Sequence, residues 1–181
     1  MKKLMVMSAV LAIGAMVCYA EDMVDNPAYK AWASFKAGAM VKTEMTTAAG
    51  EMKTQIEQTQ TLKEVTAEKA VVEFKMTMVI AGNKTEMPAK NMDIPAKVEK
   101  GKVGPKPDAE VKEGEEEIEV AGKKMKCKWT ETKMKQGEMN ITSKVWITTE
   151  IPGSMAKMES KTEGTVKSET SMKVVEFKTG G

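Results

Sequence analysis

Soft ligand chemistry in this chain can come only from cysteine and methionine. The 181 residues include two cysteines, eighteen methionines and no histidine. Cys127 is the only cysteine beyond residue 20, so within a chain cleaved there it has no intramolecular disulfide partner. Three interpretations are open: an intermolecular disulfide, a thiolate metal ligand, or a small buried hydrophobe. Cys127 shares one strand face with Met125 and Trp129, because these residues alternate with lysines at 126 and 128. This shared face favours burial.

The methionines raise a second hypothesis, which is copper. Thioethers suit Cu(I), and Met76 and Met78 share one face of a predicted strand. However, methionine replaces leucine throughout the chain, including the N-terminal twenty residues, where it cannot form a metal site. We therefore interpret methionine as flexible apolar filler and assign no metal site. An interior lined by methionine would still be deformable enough to accept ligands of varied shape.

The sequence contains few of the side-chain types that enzymes use for catalysis. All 28 basic residues are lysine, so arginine clamps and histidine bases are both absent from the sequence. The remaining candidates for catalysis are Glu, Asp, Lys, Tyr, Ser and Thr, and no motif organises them. We predict that the chain is not an enzyme and needs no cofactor.

The N-terminus has the pattern of an export signal. Lysines at 2–3 precede an uncharged run at 4–17, which is shorter than the roughly 20 residues of a membrane span. Ala20 then precedes Glu21, as at a signal-peptidase site. We expect residues 1–20 to be a signal peptide, no transmembrane span in the mature chain, and a periplasmic or extracellular location. Lipidation of Cys18 is the less favoured alternative.

Loss of the signal peptide leaves a neutral protein. It removes two lysines and no acid, so 26 lysines face 26 acidic residues. A chain with no net basic charge and no arginine does not suit nucleic-acid binding. We expect residues 21–181 to form a single β-rich domain.

The fold prediction rests on period-two alternation. Residues 26–34 predict one short helix, with Asn26 as the cap and Pro27 in the first turn. Beyond Phe35, apolar side chains alternate with Thr, Glu and Lys, as in half-buried antiparallel strands. We predict an all-β chain with one short N-terminal helix, built as a long curved antiparallel sheet or half-open barrel of about eight to ten strands.

One segment breaks the strand pattern. Residues 97–117 are rich in Lys, Glu, Gly and Pro and contain almost no large apolar side chains. Such a composition cannot offset the entropy of ordering by burial, so we predict a flexible charged loop. A cation site at Glu115–Glu117 is the alternative.

Two functions from different classes remain. The first is an exported envelope protein that binds an apolar ligand, a lipid or a lipoprotein on a concave apolar face. The second is a structural or assembly subunit that pairs with an envelope protein through strand edges. Candidate ligand-binding residues, chosen by alternation, are Val72, Phe74, Met76, Met78, Met125 and Trp129.

A resemblance supports the first function. Lys144-Val145-Trp146, a short turn, Ile151-Pro152 and the alternating strand that follows are similar to the strand–Trp–turn–Pro step of periplasmic lipoprotein-carrier-like proteins. The stretch 32–38 (Trp-Ala-Ser-Phe-Lys-Ala-Gly) resembles the openings of small secreted proteins of unknown function from planctomycete-type bacteria. The resemblance implies an antiparallel sheet curved around an apolar groove that receives acyl chains.

Overall fold

The structure is a computed structural model, and the residues it describes are 22–80, 82–100, 109–164 and 167–180. The predicted signal peptide, residues 1–20, lies outside the described residues, as does Cys18. Within them, the only helix has seven residues, and no helix is long and apolar enough to cross a membrane.

Eleven strands and one helix form the described chain, which confirms the all-β prediction. In chain order they are β1 (Met23–Asp25), α1 (Pro27–Ala33), β2 (Met40–Ala49), β3 (Met52–Val65), β4 (Lys69–Ile80), β5 (Asn83–Pro95), β6 (Lys97–Glu99), β7 (Glu110–Val120), β8 (Lys123–Gln136), β9 (Met139–Ile147), β10 (Met155–Glu163) and β11 (Ser168–Lys178).

Nine strands make one antiparallel sheet in the order β5-β4-β3-β2-β11-β10-β9-β8-β7. Each half of the sheet is a meander of hairpins, and the first and last of the nine strands, β2 and β11, pair to join the halves. β1 pairs with β6 in a separate two-stranded sheet. β5 and β7 are the edge strands.

The sheet is curved and does not close. Cα atoms of β7 lie within 8 Å of β11, although four strand intervals separate the two strands. In a flat sheet these intervals would span about 19 Å. Lys123 at the start of β8 also reaches Phe177 at the end of β11, with its Nζ 5.2 Å from the ring centre. The C-terminal strands therefore curl at this end.

The helix begins where the sequence predicts. Asn26 is the N-cap, and its side-chain oxygen accepts a hydrogen bond of 3.0 Å from the backbone N–H of Ala28. The same side chain donates to the carbonyl of Pro95 at 2.8 Å, which ties the helix to the end of β5. Pro27 occupies the first helical position, where its missing N–H costs nothing. Trp32 is the helix residue that enters the core.

The buried core lies at one end of the sheet, which we call the base. The base holds α1, β1, β6 and the connections that follow β3, β7 and β9. The opposite, distal end holds the connections after β2, β4, β8 and β10. The buried apolar residues are Trp32, Ala39, Val41, Leu62, Ala70, Val72, Val120, Met125, Cys127, Trp146, Ile151, Ala156 and Val174.

The segment 97–117, for which composition predicts a flexible loop, has strands at both ends. β6 occupies its beginning, residues 101–108 lie outside the described part of the chain, and β7 covers the rest. The acidic run can extend in a strand because β8 places lysines opposite it: Glu115 faces Lys128 and Glu117 faces Lys126. Opposed unlike charges stabilise neighbouring strands, and a composition count does not detect that pairing.

Candidate functional site

A row of apolar side chains crosses the middle of the sheet. Residues directly opposed in an antiparallel pair point to the same face, so the strand registers can be followed from strand to strand. One such line crosses the neighbouring strands β4, β3, β2, β11, β10 and β9 and contains six apolar residues. Three of them, on adjacent strands, are methionines. We call it the methionine row: Met78, Ile56, Met45, Met172, Met158 and Val145.

A second row lies next to it on the same face, one step closer to the distal end. It consists of hydroxyl side chains on six strands that are adjacent in the sheet: β3, β2, β11, β10, β9 and β8. Thr47 and Thr170, at its centre, are joined by a hydrogen bond of 3.1 Å between their Oγ1 atoms. The members of this hydroxyl row are Thr54, Thr47, Thr170, Ser160, Ser143 and Thr132.

These two rows define an uncharged face, whereas the other face of the same strands is charged. On the other face, the registers align Glu44 with Lys173 and Lys144 with Glu159. The Lys173 and Glu44 side chains form an ion pair of 3.6 Å. In a chain with 30% charged residues, two six-residue rows without a charge are a marked segregation, and the register meets a charge only beyond Thr130, at Glu113 on the edge strand β7. Contiguous apolar surface that is left partly exposed is typical of interaction sites in proteins.

A cleft of about 320 Å³ opens on the uncharged face, beside the helix. In the part of the chain that the structure describes, no charged residue lines it. Its apolar lining includes four methionines, and its polar lining consists of one threonine and two glutamines. The lining residues are Trp32, Val41, Thr43, Met45, Ile56, Gln58, Gln60, Pro152, Gly153, Met155, Met158 and Met172.

The loop between β9 and β10 builds one wall of the cleft. Gly153 donates its N–H to the carbonyl of Ala31 at 3.0 Å, which seats the loop on the helix. A Cβ at Gly153 would come within 3.2 Å of the Trp32 ring, and its φ of +77° favours glycine. Ile151 and Pro152, in the same loop, are buried. The hydrogen bond to the helix and the two buried loop residues therefore hold this wall of the cleft against α1.

Methionine is used on this face and not in the core. Fourteen methionines lie between residues 22 and 180, and Met125 alone is buried among the core residues. The others, including those of the methionine row, are partly or fully exposed. Most of the methionines therefore lie at or near the surface and not in the buried core. Flexible thioether side chains at a surface are typical of sites that adapt to their ligands.

The structure divides the six predicted ligand-binding residues between two places. Phe74, Met76 and Met78 lie half-buried in β4 on the uncharged face, with Val72 fully buried below them at the base. Met125 and Trp129 lie in β8, which is separated from β4 by five strands. The register also places Trp129 on the other face, because its neighbour Thr130 is the residue aligned with Val145 and the methionine row. These residues do not share one site.

The second place is an aromatic pair with its own polar partners. Trp129 directly opposes Trp146, and Lys144 Nζ lies 4.3 Å and 4.6 Å from their ring centres. Lys157 Nζ lies 4.7 Å from the ring centre of Trp146, which is a third cation–π contact. Glu116 accepts hydrogen bonds from the Trp146 indole N–H and from Lys144. Because lysines cover the ring faces, this pair is packed rather than open to a ligand.

Hydrogen bonding sets the ionisation of Glu116. The Trp146 indole N–H is the main cause, with Lys144 second, and together they hold the pKa of the Glu116 carboxyl below its ordinary value. Both donors stabilise the carboxylate and not the acid. The site is structural in character, since its groups bind one another.

Cys127 lies in the core at 1% exposure, and the lysines beside it are exposed, as alternation predicts. Burial is the main cause that raises the pKa of its thiol, and the negative charges of Glu150 and Glu116 add to this. A raised pKa lowers the thiolate fraction at neutral pH, and the thiolate is the reactive form. An intermolecular disulfide would therefore require this part of the core to open.

Sequence reasoning missed the centre of the site. Met45, Met158 and Met172 alternate correctly within their own strands, and that signal was readable. What alternation cannot show is that β2 pairs with β11, near the two ends of the chain, and so brings Met45 next to Met172. Trp32 lies in the predicted helix, but no local pattern indicates that it lines a cleft.

Comparison with known proteins finds no matching family model, no matching curated protein and no matching solved structure. Among the described residues, no group of three or more His, Cys, Asp or Glu side chains is placed to hold a metal ion.

Proposed function

We propose that this chain is an exported, non-enzymatic binding module for an apolar ligand, which it holds on the uncharged face. The observation that carries this proposal is the methionine row, a continuous apolar line across six strands that the described chain leaves partly exposed. Six neighbouring strands span about 24 Å from first to last. A long acyl chain lying across the strands fits a surface of that extent.

The chemistry of the cleft supports an uncharged ligand. None of the described residues that line it carries a charge, so a buried carboxylate or phosphate would find no partner there, at a large desolvation cost. Gln58 and Gln60 offer amide groups that can hydrogen-bond to an ester or amide of the ligand. The acyl part of a lipid or lipoprotein suits this lining, with its charged headgroup left in water.

The first test is ligand recovery. Protein purified from its source without detergent is extracted, and the extract is analysed for lipids by mass spectrometry. The stripped protein is then titrated with a fluorescent acyl probe. We expect a co-purified acyl lipid and saturable binding of the probe.

A matched pair of variants locates the site. Met172→Lys places a charge in the methionine row, whereas Ser171→Lys places the same charge one residue away on the opposite face of β11. We expect Met172→Lys to lose probe binding and Ser171→Lys to keep it. Equal binding by both folded variants, or no lipid and no saturable binding in the wild type, would overturn the proposal.

A second candidate function is a structural or assembly subunit, and the strand edges favour it. β5 is exposed along nearly its whole length, and no described strand pairs with its outer edge or with that of β7. Unpaired edges can add a strand from a partner. Size-exclusion chromatography over a range of concentrations separates the two functions: ligand-free oligomers that grow with concentration support this candidate, and a lipid-loaded monomer supports the first.

A further inference from the structure

Three methionines meet in register at the centre of the uncharged face. Met45 in β2 directly opposes Met172 in β11, and Met172 directly opposes Met158 in β10. Directly opposed residues have Cβ atoms about 4.5–5.5 Å apart, and a methionine side chain is long and flexible enough to bring its sulfur toward a shared point. A fourth thioether, Met155, lines the same cleft.

We propose that this cluster binds a soft monovalent metal ion, Cu(I), through the thioethers of Met45, Met158 and Met172. Three neutral sulfur ligands suit Cu(I), which prefers soft donors and accepts low coordination numbers. The inference goes beyond ligand binding by the uncharged face, because it depends on sulfur itself and not on the apolar character of the side chains.

The placement of the cluster argues against a packing role. All three side chains are half-buried at a cleft, whereas the core is built from other residue types and contains only Met125. A metal ion can reach a cleft but not a close-packed core. Methionines that served only to fill space would be expected inside, where leucine is otherwise found.

The surroundings also select for a soft monovalent ion. Among the described residues, the cleft lining has no carboxylate, thiolate or imidazole, so it lacks the ligands that Zn²⁺, Ca²⁺ and Cu²⁺ prefer. Trp32 contributes an aromatic ring to the lining, and aromatic rings attract cations. Cys127, the only thiol between residues 22 and 180, lies buried in β8, two strands beyond β10.

The experiment replaces sulfur without changing the apolar surface. The folded protein is titrated anaerobically with Cu(I) against a competing chromogenic chelator, and Ag(I) serves as a redox-inert substitute. Met172→Leu keeps the size and hydrophobicity of the side chain but removes the donor atom. Met134→Leu is the matched control, because Met134 is a partly exposed methionine of the same sheet away from the cleft. Zn²⁺ is the control ion.

We expect one equivalent of Cu(I) in the wild type and in Met134→Leu, and an affinity more than about tenfold weaker in Met172→Leu. Zn²⁺ should not compete. Unchanged affinity in Met172→Leu, or binding abolished by Cys127→Ser, would overturn the proposal. The acyl-probe titration on Met172→Leu separates this result from the proposed function: loss of Cu(I) with retained probe binding supports both, and absence of Cu(I) binding in a wild type that binds the probe overturns the metal site alone.

Discussion

The base and the distal end of the sheet use the same strands for different purposes. At the base, β3 buries Leu62 completely in the core, whereas six residues earlier the same strand leaves Ile56 half-exposed on the uncharged face. The helix and the β9–β10 loop cover the base, and no described element covers the distal face. The difference shows that long strands can be anchored at one end and so display a surface along the rest of their length.

Stability should follow the same division. Distal ion pairs such as Lys161 with Glu163 are solvent-exposed, and exposed pairs contribute at most about 1 kcal/mol. Hydrogen bonds of the strand ladder continue there, but little apolar area is removed from water. The distal half should therefore open more readily than the base, as regions with few buried contacts do.

The largest expected effect comes from a pair of truncations within β3. Leu62→Ala should lower the free energy of unfolding by about 3 kcal/mol, because it empties a fully buried position. Ile56→Ala should cost about 1 kcal/mol, since its side chain is already in contact with water. Urea denaturation followed by circular dichroism measures both. Equal losses would contradict the division between the buried base and the partly exposed methionine row.

The next effect tests how tightly β7 packs against its neighbour. A Cβ at Gly114 would lie 2.5 Å from Cζ2 of the Trp129 ring, which leaves no room for it. Gly114→Ala should therefore destabilise the protein by about 1–3 kcal/mol, although alanine is otherwise no worse than glycine in a strand.

The control for this prediction is the Trp129→Ala background. With the indole removed, Gly114→Ala should cost almost nothing, and the double-mutant cycle should give a coupling of about 1 kcal/mol or more. Additive losses would mean that the ring does not lie against the glycine.

The sequence predicts the features that depend on residues close together in the chain, and not those that depend on pairing between strands. Alternation along β4 correctly placed Phe74, Met76 and Met78 on one face, because the side-chain period of a strand is a local property. The strand at Glu115 and Glu117 was hidden, because its stability comes from lysines on β8 and not from its own composition. Alternation alone also could not show that the apolar residues of β4 and Trp129 of β8 lie on opposite faces of the sheet, since that requires the strand order and register.

A third prediction concerns Cys127 at the base. Cys127→Ser should cost about 1–2 kcal/mol, because it buries a hydroxyl in an apolar position. Cys127→Ala, which adds no polar group, should cost less than the serine variant. Both variants should keep the oligomeric state of the wild type, as measured by size-exclusion chromatography. A dimer that the wild type loses on reduction would contradict the buried thiol.

Thiol labelling gives a second measurement of the same position. The native protein should react slowly with a thiol reagent and the unfolded protein quickly, because burial both shields the sulfur and raises its pKa. Rapid native labelling would show that the base opens as easily as we expect of the distal end.

The smallest expected effect compares one carboxylate from each end. Glu116, near the base, has a pKa held below its ordinary value, mainly by the Trp146 indole N–H and then by Lys144. A folded-state pKa below the unfolded one adds stability that is present above the unfolded pKa of about 4.3 and is lost as the pH falls through the folded value. Glu116→Gln should therefore reduce the fall in the free energy of unfolding between about pH 7 and pH 3.

Glu163→Gln, which removes an exposed distal ion pair with Lys161, is the matched variant and should change that pH profile less. Urea midpoints measured across this pH range test the comparison, and an equal change in both variants would mean that the hydrogen bond from Trp146 adds nothing beyond a surface charge pair.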